Sequence, residues 1–182
     1  KHQVQKLFTD DFLNQSVHGF VYRKRHGYAG DYEINDHLYQ QSIIADKTFE
    51  KWDKYVHFLH AARAVRNRKT YFIELVKNKC LQLDTPLQIL NIASGPCRDL
   101  KELIEKMPTG KLQVHCVDID SNAIEYAKNV LGFYADSIKF TRANIFNFNT
   151  EEKFDLIWSA GLFDYFDDND FIKLLVKIRS WC

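Results

Sequence analysis

Apolar residues in the first half of the chain recur at the spacing of helices. Steps of three and four, with a break near Asn67, predict one long helix or two abutting helices over residues 47–82. The apolar positions are Phe49, Trp52, Val56, Leu59, Val65, Phe72, Leu75 and Val76. A weaker pattern predicts an earlier helix with Val4, Leu7, Phe8 and Phe12. A turn-rich stretch over 27–32 precedes a short helix expected over 36–44.

After Pro86, short apolar runs alternate with amphipathic segments. The runs predict strands over 87–93, 112–119, 138–142 and 154–160, and the segments predict helices over 98–106, 122–131 and 168–179. Such alternation forms βαβ units and a parallel sheet. The predicted fold class is therefore α/β, with a helical segment over residues 1–85 and a sheet-containing core over 86–182. Ligands in these sheets bind at the carboxyl ends of the strands.

The first predicted strand ends in a turn of small residues, Ala93-Ser94-Gly95-Pro96, that leads directly into a helix. Such a turn lets a ligand approach the backbone, and it presents the N–H groups of the helix N-terminus to an anionic group. Only Gly95 matches the dinucleotide-binding pattern GxGxxG, and bulky Arg98 stands where the third glycine would be. The alternative interpretation is a purely structural turn.

An acidic residue, Asp118, lies at the end of the second predicted strand, 23 residues beyond Gly95. An acid at this place can accept both hydroxyls of a ribose. The alternative is that it caps the next helix, but Asp120 or Ser121 can do that. Because a carboxylate in a buried strand needs a partner, the pattern favours ribose binding by Asp118.

The ends of the third and fourth predicted strands carry further candidates. Asn144 offers an amide that could hydrogen-bond an adenine edge, with apolar Ile145 against the ring face. Asparagines are common in loops, so the alternative that Asn144 is an ordinary loop residue without a ligand is equally compatible with the sequence. Gly161 lets the loop after the fourth strand pass close to a ligand.

Residues 86–182 resemble the class I S-adenosylmethionine-dependent methyltransferase family. The resemblance lies in four motifs in the family's order, LNIASGPCRDL, VDIDSNAIEYAK, RANIFNF and FDLIWSAGLFDYF. It implies S-adenosyl-L-methionine as the cofactor and a Rossmann-like sheet. The implied cofactor-binding residues are Ala93, Ser94, Gly95 and Pro96 at the methionine moiety, Asp118 at the ribose with Ile119 beside it, Asn144 and Ile145 at the adenine, and Ser159, Ala160 and Leu162 at the reacting end.

The chain also departs from this family's pattern. Asn91 stands where the family usually has an acid, and Ala93 and Cys97 stand where it has glycines, which affects recognition of the methionine amine. The family's sheet normally has seven strands, whereas four are predicted here. We therefore expect either a fragment of a longer protein or a shortened variant whose open sheet edge is covered by the helical segment or a partner.

The amino-terminal segment resembles one branch of the family, the extracellular-factor or 3-hydroxypalmitate methyl ester biosynthesis methyltransferases. The matching stretches are GYAGDYEINDHLY at 27–39 and AVRNRKTYF at 64–72. This resemblance implies that the helical segment caps the active site. It also suggests a small-molecule acceptor, with carboxyl O-methylation of a hydroxy fatty acid as the reaction.

A carboxylate acceptor needs no general base, because it is already nucleophilic at neutral pH. A cationic clamp is then expected, and arginine binds carboxylates through two hydrogen bonds. Arg66 is the first candidate, followed by Arg63 and Arg68, with a solvated helix face as the alternative. Tyr28 and Tyr32 could turn their ring faces to the cofactor sulfonium, or simply pack a loop on the core.

A hydroxyl or amine acceptor would instead need a base. His26, His57 and His60 lie in the amino-terminal segment, but the spacing of the last two is more typical of a partly buried polar edge. His115 lies inside a strand and is interpreted as a core histidine. The acids over 164–170 open a helix, where they stabilise its positive end, so no metal site is predicted.

Composition bounds the remaining possibilities. A formal charge of +1 predicts no bulk attraction to nucleic acid or to an anionic membrane, and no apolar stretch approaches the ~20 residues needed to span a bilayer. The four cysteines stand singly, which suits free thiols in a reducing cytoplasm. We therefore expect a cytoplasmic protein with a single small domain and an appendage.

Three other functions remain open. An NAD(P)-dependent reductase is disfavoured because the glycine fingerprint is absent, and a non-catalytic S-adenosylmethionine-binding or interaction module is the second alternative. A nucleic-acid methyltransferase is disfavoured by the charge and by SAGLF, which stands where base methyltransferases carry an NPPY-type sequence.

Overall fold

The computed structural model describes residues 8–28, 30–44 and 47–182. The chain divides into two compact units, Lys1–Thr70 and Tyr71–Cys182, and one long helix supplies residues to both. The domain boundary expected after residue 85 stays a prediction. Val4 and Leu7, assigned to the first predicted helix, lie outside the described residues. None of the helices in the described ranges is long and apolar enough to cross a membrane.

Short capped helices make up the amino-terminal unit. They are α1 (Asp10–Gln15), α2 (Val17–Arg23), α3 (Tyr32–Gln40), α4 (Glu50–Phe58) and the first half of α5 (His60–Cys80). The sequence pattern did not predict α2, which follows α1 directly because Ser16 ends α1 and caps α2 by accepting the Gly19 N–H at 3.0 Å. Phe8 lies in a bend before α1, whereas Phe12 lies inside it.

A buried carboxylate joins three segments of this unit. Asp53 of α4 is fully buried and accepts the N–H groups of Val17 at 2.7 Å and Ile44 at 2.9 Å. An apolar core packs nearby in the same unit. Its buried members are Val17, Phe20, Ile34, Leu38, Val56 and Ala62.

The break in the long helical stretch lies at Leu59, not near Asn67 as predicted. Leu59 is extended, with ψ of 144°, and its N–H donates to the Val56 carbonyl in the last turn of α4. Asn67 lies inside α5. An asparagine in a helix interior lowers helix stability by less than about 1 kcal/mol, and packing can outweigh that cost.

The helix expected over 36–44 begins earlier, at Tyr32. The Asp31 carboxylate accepts the N–H groups two and three residues further on, both at 3.0 Å, and so caps α3 at its start. Gln41 adopts a left-handed conformation with φ of 53° and ends the helix.

A four-stranded parallel sheet, in the order β3-β2-β1-β4, forms the centre of the carboxy-terminal unit. Its strands are β1 (Leu87–Ile92), β2 (Leu112–Asp118), β3 (Lys139–Arg142) and β4 (Leu156–Ser159). Its helices are the end of α5, α6 (Arg98–Ile104), α7 (Ser121–Leu131), α8 (Asp168–Arg179) and 3₁₀ turns at Gly132–Ser137 and Phe163–Tyr165. The predicted α/β, Rossmann-like fold class is confirmed, with each strand one to three residues shorter than predicted.

Both faces of the sheet are covered. Successive residues of a strand point to opposite faces, so Ile89 of β1 joins one apolar cluster and Leu90 joins another. The first cluster includes Phe72 and Val76 of α5, and the second includes Leu174 of α8. This burial on two sides explains why apolar residues of β1 occur at both odd and even positions.

The order of the strands reverses at β1. Its last residue, Ile92, pairs with Val117 of β2 on one side and with Ser159 of β4 on the other. Open α/β sheets have a ligand-binding crevice outside the carboxyl ends of the strands at such a reversal.

Candidate functional site

The loop after β1 turns back onto β2 through residues in the left-handed conformation. Ala93, Gly95 and Cys97 have φ of 50°, 54° and 52°. The Gly95 N–H donates to the Asp118 carboxylate at 3.0 Å, the Ser94 N–H donates to a β2 carbonyl, and the Cys97 N–H donates within the loop. These three N–H groups precede α6 and are already bonded inside the protein. The expectation that the N-terminus of α6 faces an anionic ligand group stays a prediction.

Asp118, the last residue of β2, is a buried carboxylate with 8% of its surface exposed. Its Oδ2 accepts the Gly95 N–H and its Oδ1 accepts the Asp120 N–H, both at 3.0 Å. Burial raises the pKa of Asp118 above its usual value, while these backbone hydrogen bonds act to lower that pKa. Each oxygen has two lone pairs, so each keeps one for a ligand hydroxyl. The capping of α7 is done by Asp120, which accepts the Asn122 N–H at 2.8 Å.

A pocket of about 550 Å³, including its opening to solvent, lies at this edge of the sheet. The predicted cofactor-binding residues that line it are Ala93, Asp118, Ile119, Asn144, Ile145 and Leu162. Residues that were not predicted also line it, namely Ile92, Val117, Ala143, Phe146 and Phe166. Apolar walls with two convergent polar side chains, Asp118 and Asn144, are typical of small-molecule sites.

Asn144 shapes the loop after β3. Its Oδ1 accepts the Phe146 N–H at 3.0 Å, which leaves the amide nitrogen to donate to a ligand. Lys177 of α8 donates from Nζ to the Phe146 carbonyl at 2.6 Å and holds this loop from the other side. The rings of Phe146 and Phe166 pack edge to face, with centroids 5.1 Å apart. The closeness of Phe146 to Asn144 was a usable signal for its role, whereas nothing in the sequence marks Phe166.

The other predicted cofactor-binding residues follow the ends of β1 and β4 but do not line the pocket. They are Ser94, Gly95, Pro96, Ser159 and Ala160. The hydroxyl oxygens of Ser94 and Ser159 are buried, and within the described part of the chain they hydrogen-bond to nothing. A buried polar group without a partner costs about 1–3 kcal/mol, so a polar ligand group at this edge would fit the residues present.

The predicted substrate clamp lies in the amino-terminal unit. Arg66 donates from Nη2 to the His57 carbonyl at 2.6 Å, while its Nη1 is buried with no partner among the described residues. Arg63 is exposed, and Arg68 donates from Nη2 to the Tyr39 hydroxyl at 3.2 Å. Arg66 therefore has both a structural contact and an unused donor.

The two tyrosines proposed for the cofactor differ in their surroundings. Tyr32 is buried, and its hydroxyl lies 3.3 Å from Nδ1 of His26. Tyr28 is half-buried and also has an interaction partner. Their contacts agree with the alternative of ordinary loop packing.

The histidines considered as bases are mostly engaged in structural contacts. His26 lies 2.9 Å from Glu33, and Nε2 of buried His57 lies 2.8 Å from the Ser42 carbonyl, whereas His60 is exposed. His115 is buried inside β2 between Glu152 and Thr141, as expected of a core histidine.

All four cysteines are free thiols, and three of them are buried. The Sγ atoms of Cys97 and Cys116 lie 3.8 Å apart beneath the loop after β1. The hydrogen bond with the Cys116 thiol, together with burial, raises the pKa of Cys97 well above its usual value, so its thiol is protonated at neutral pH. Over residues 8–28, 30–44 and 47–182, no group of three or more histidine, cysteine or acidic side chains is arranged to hold a metal ion.

Residues 89–182 match a family model described as a methyltransferase domain. The chain belongs to this methyltransferase family. It is a family of class I S-adenosylmethionine-dependent enzymes, so the cofactor of this methyltransferase is S-adenosyl-L-methionine. No curated protein matches the chain.

The chain is similar to several solved structures. A protein from Bordetella parapertussis, described as a possible exported protein, is 21% identical with a TM-score of 0.64 over 81% of this chain and 49% of its own. A methyltransferase from Thiobacillus denitrificans with S-adenosylhomocysteine is 18% identical, with a TM-score of 0.45 over 61% and 43% of the two chains. The N-methyltransferase NodS from Bradyrhizobium japonicum, with the same ligand, is 18% identical, with a TM-score of 0.47 over 62% and 54%. The methyltransferase thus spans about half the length of these structures.

Proposed function

We propose that this methyltransferase binds S-adenosyl-L-methionine at the carboxyl ends of β1, β2, β3 and β4. The observation that carries the proposal is the Asp118 carboxylate, which is buried at the pocket and keeps one lone pair on each oxygen. A ribose offers two neighbouring hydroxyl donors, which match these two lone pairs. The mostly apolar lining suits an adenine ring beside the ribose.

Each residue proposed to bind the cofactor is assigned to one part of it. Asn144 would donate from its amide to the adenine edge, while Ile145 and the unpredicted Phe146 would contact the ring face. The remaining assignments are Asp118 and Ile119 at the ribose, Ala93, Ser94, Gly95 and Pro96 at the methionine moiety, and Ser159, Ala160 and Leu162 at the reacting end. When bound, the cofactor supplies a methyl group already activated on a sulfonium, which leaves the protein to align the acceptor and exclude water.

The proposed acceptor is a small molecule, with the carboxylate of a hydroxy fatty acid as the first candidate. The support is the resemblance of residues 27–39 and 64–72 to the extracellular-factor branch, together with the unpartnered Nη1 of Arg66. An arginine with one free, buried N–H can donate to a carboxylate oxygen. In this proposal residues 1–85 act as a cap and supply the acceptor contacts, with Arg66 as the first candidate and Arg63 as the second.

Calorimetry with S-adenosylhomocysteine tests the cofactor site. We expect the wild type to bind and Asp118→Ala to bind at least about 30-fold more weakly, because hydrogen bonds to a charged acceptor contribute about 1.5–3 kcal/mol each. Asp120→Ala is the matched control, since it removes a carboxylate two residues away that caps α7. Absence of binding by the wild type, or equal affinity of wild type and Asp118→Ala, contradicts the proposal.

The acceptor is tested with cofactor labelled in its methyl group. Hydroxy fatty acids incubated with the protein should give a base-labile methyl ester. A base-stable product excludes carboxyl methylation, whereas cofactor binding without transfer to any acceptor supports a non-catalytic binding module.

We also propose that this methyltransferase works in the cytoplasm. The support is its free thiols, since cysteines that lie only 3.8 Å apart, such as Cys97 and Cys116, remain reduced in a reducing compartment. Fractionation of the source cells tests this, and recovery of the protein outside the cytoplasm contradicts it.

A further inference from the structure

A second pocket lies in the amino-terminal unit, among α1, α2 and α4. Its volume is about 560 Å³, including its opening to solvent. The helices and the residue that follows α4 supply its lining through Leu13, His18, Val21, Tyr22, Val56 and Leu59. All of these residues belong to one compact unit, and none of them is assigned to the cofactor or to the acceptor.

The lining of this pocket is almost entirely hydrocarbon. Of the lining side chains, His18 and Tyr22 alone carry a polar atom. The buried side-chain polar atoms that lack a hydrogen-bond partner in the described residues all lie outside this lining. A bound molecule therefore meets no buried polar side chain that needs a partner. Because apolar cavities stay dry and bind hydrocarbons, we expect the part of a ligand inside the pocket to be hydrocarbon.

Close packing holds the walls of the pocket in place. Gly19 of α2 lies against α1, and a Cβ atom at this position would overlap the Cα atom and the carbonyl oxygen of Leu13. The ring of Phe8, which also lines the pocket, lies 5.1 Å from the Phe12 ring and 6.1 Å from the His18 ring, between centroids. The pocket is thus formed before a ligand enters, which lowers the entropic cost of binding.

The mouth of the pocket is amphipathic and basic. Tyr22 is 47% exposed, and a ring with a polar tip suits the boundary between hydrocarbon and water. The basic run Arg23-Lys24-Arg25 follows directly, and within it Arg23 pairs with Asp10 whereas Lys24 is exposed. Residues 1–70 contain 12 lysines and arginines against eight aspartates and glutamates. This charge favours an anionic group outside the pocket.

We propose that this pocket binds the alkyl chain of a free, single-chain anionic amphiphile, whose charged head stays at the mouth. The volume falls in the range of small-molecule sites, roughly 300–1,000 Å³. An unbranched chain is a hydrocarbon that can enter the pocket while its charged end remains in water. The inference goes beyond the proposed function, because the bound amphiphile need not be the methyl acceptor and the cofactor need not be present.

Calorimetry on the whole chain with octanoate, decanoate and dodecanoate tests the site. Below the concentrations at which these carboxylates aggregate, the affinity should rise about 4-fold for each added methylene until the chain fills the pocket. Trp52 supplies a local readout, since it is the only tryptophan in residues 1–70 and its ring centroid lies 6.3 Å from that of His18. A dodecanoate brominated on its chain should quench the fluorescence of Trp52.

Two variants separate entry into the pocket from adsorption to the surface. Val21→Asp places a carboxylate in the lining at a position that is 41% exposed, and it should weaken dodecanoate binding at least about 10-fold. Phe58→Ser is the matched control, because Phe58 is 79% exposed and does not line the pocket. It should keep wild-type affinity for dodecanoate. Circular dichroism checks that both variants fold, and dodecyltrimethylammonium, a cation with the same chain, should bind more weakly than dodecanoate.

Several results would overturn the inference. They are absence of dodecanoate binding, an equal loss of affinity in Val21→Asp and Phe58→Ser, and no quenching of Trp52. Equal affinity for dodecyltrimethylammonium contradicts the anionic head. Sedimentation with vesicles of phosphatidylcholine and phosphatidylglycerol, without dodecanoate binding, assigns this surface to a membrane, and a dimer that Val21→Asp dissociates assigns it to a second copy of the chain. Binding of S-adenosylhomocysteine in the same preparations reports on the proposed function separately, so either can fail alone.

Discussion

Asp118 combines burial with incomplete hydrogen bonding. Two backbone N–H groups, from Gly95 and Asp120, fix the direction of its carboxylate, and each oxygen still has a lone pair. The position of Asp118 at a strand end could be predicted from the sequence. Its contact with the Gly95 N–H could not, because that bond depends on how the left-handed residues Ala93 and Cys97 turn the loop.

The affinity for S-adenosylhomocysteine should fall on acidification at a higher pH than for an ordinary aspartate. Ligand hydroxyls donate to the ionised carboxylate, so binding weakens as the pH falls through the pKa of Asp118, and burial raises that pKa. Titration calorimetry from pH 7.5 downwards measures the effect. Asp118→Asn, which cannot ionise, should bind weakly with little pH dependence between pH 7.5 and 5. The same pH dependence in wild type and variant would assign it to another group.

At the scale of elements, α8 supports the site from outside the pocket. Lys177 holds the Phe146 carbonyl, and its Nζ also lies 5.6 Å from the centre of the Trp181 ring. This link joins α8 to the loop after β3, although the two are distant in sequence. Periodicity predicts that α8 exists and where it begins, but it contains no information about which carbonyl a lysine at its end will reach.

Lys177→Met should weaken binding of S-adenosylhomocysteine by roughly 3- to 10-fold, since one hydrogen bond that orders the pocket wall is lost while the packing of the side chain is kept. Lys173→Met is the control, because that lysine lies one turn earlier, is exposed and pairs with Asp170. Calorimetry with S-adenosylhomocysteine measures the affinity of both variants. Equal affinities of the two would show that Lys177 does not position the loop.

Apolar spacing in the sequence predicts some elements of this fold and misses others. The strands and α8 were predicted well because burial on two faces, or on one helical stripe, leaves a pattern in the sequence. The helix break at Leu59 and the start of α3 were not, since an extended residue between two helices and a capping carboxylate are local choices that apolar spacing does not record. The pocket-lining Phe166 was missed because it comes close to Phe146 only in the folded unit.

For the whole molecule, His115 is a charge-sensitive group in the interior of the carboxy-terminal unit. It lies between Glu152, at 3.2 Å, and Thr141, at 2.8 Å, with the rings of Phe148 and Phe154 packed around it. Burial lowers its pKa, an effect that Lys139 reinforces and Glu152 opposes. The folded protein therefore favours the neutral imidazole.

Stability should decrease as the pH falls below about 6.5, the usual pKa of histidine in an unfolded chain. In that range His115 takes up a proton in the unfolded chain but not in the folded protein. The loss of stability stops once the pH is below the pKa of His115 in the folded protein. Thermal unfolding from pH 7.5 to 5 measures this loss. His115→Gln should show a smaller loss, and His60→Gln, at an exposed position, should behave as the wild type. An unchanged profile in His115→Gln would contradict the assignment.

In the amino-terminal unit, the Asp53 carboxylate must lose its hydration before it gains both of its backbone donors. Ile44 lies nine residues before it and Val17 lies 36 residues before it, so the shorter loop closes at the smaller entropic cost. The contact with Ile44 is therefore expected to form first and the start of α2 to dock last. A nascent chain that has emerged from the ribosome only as far as α3 lacks the acceptor on which the first turn of α2 depends.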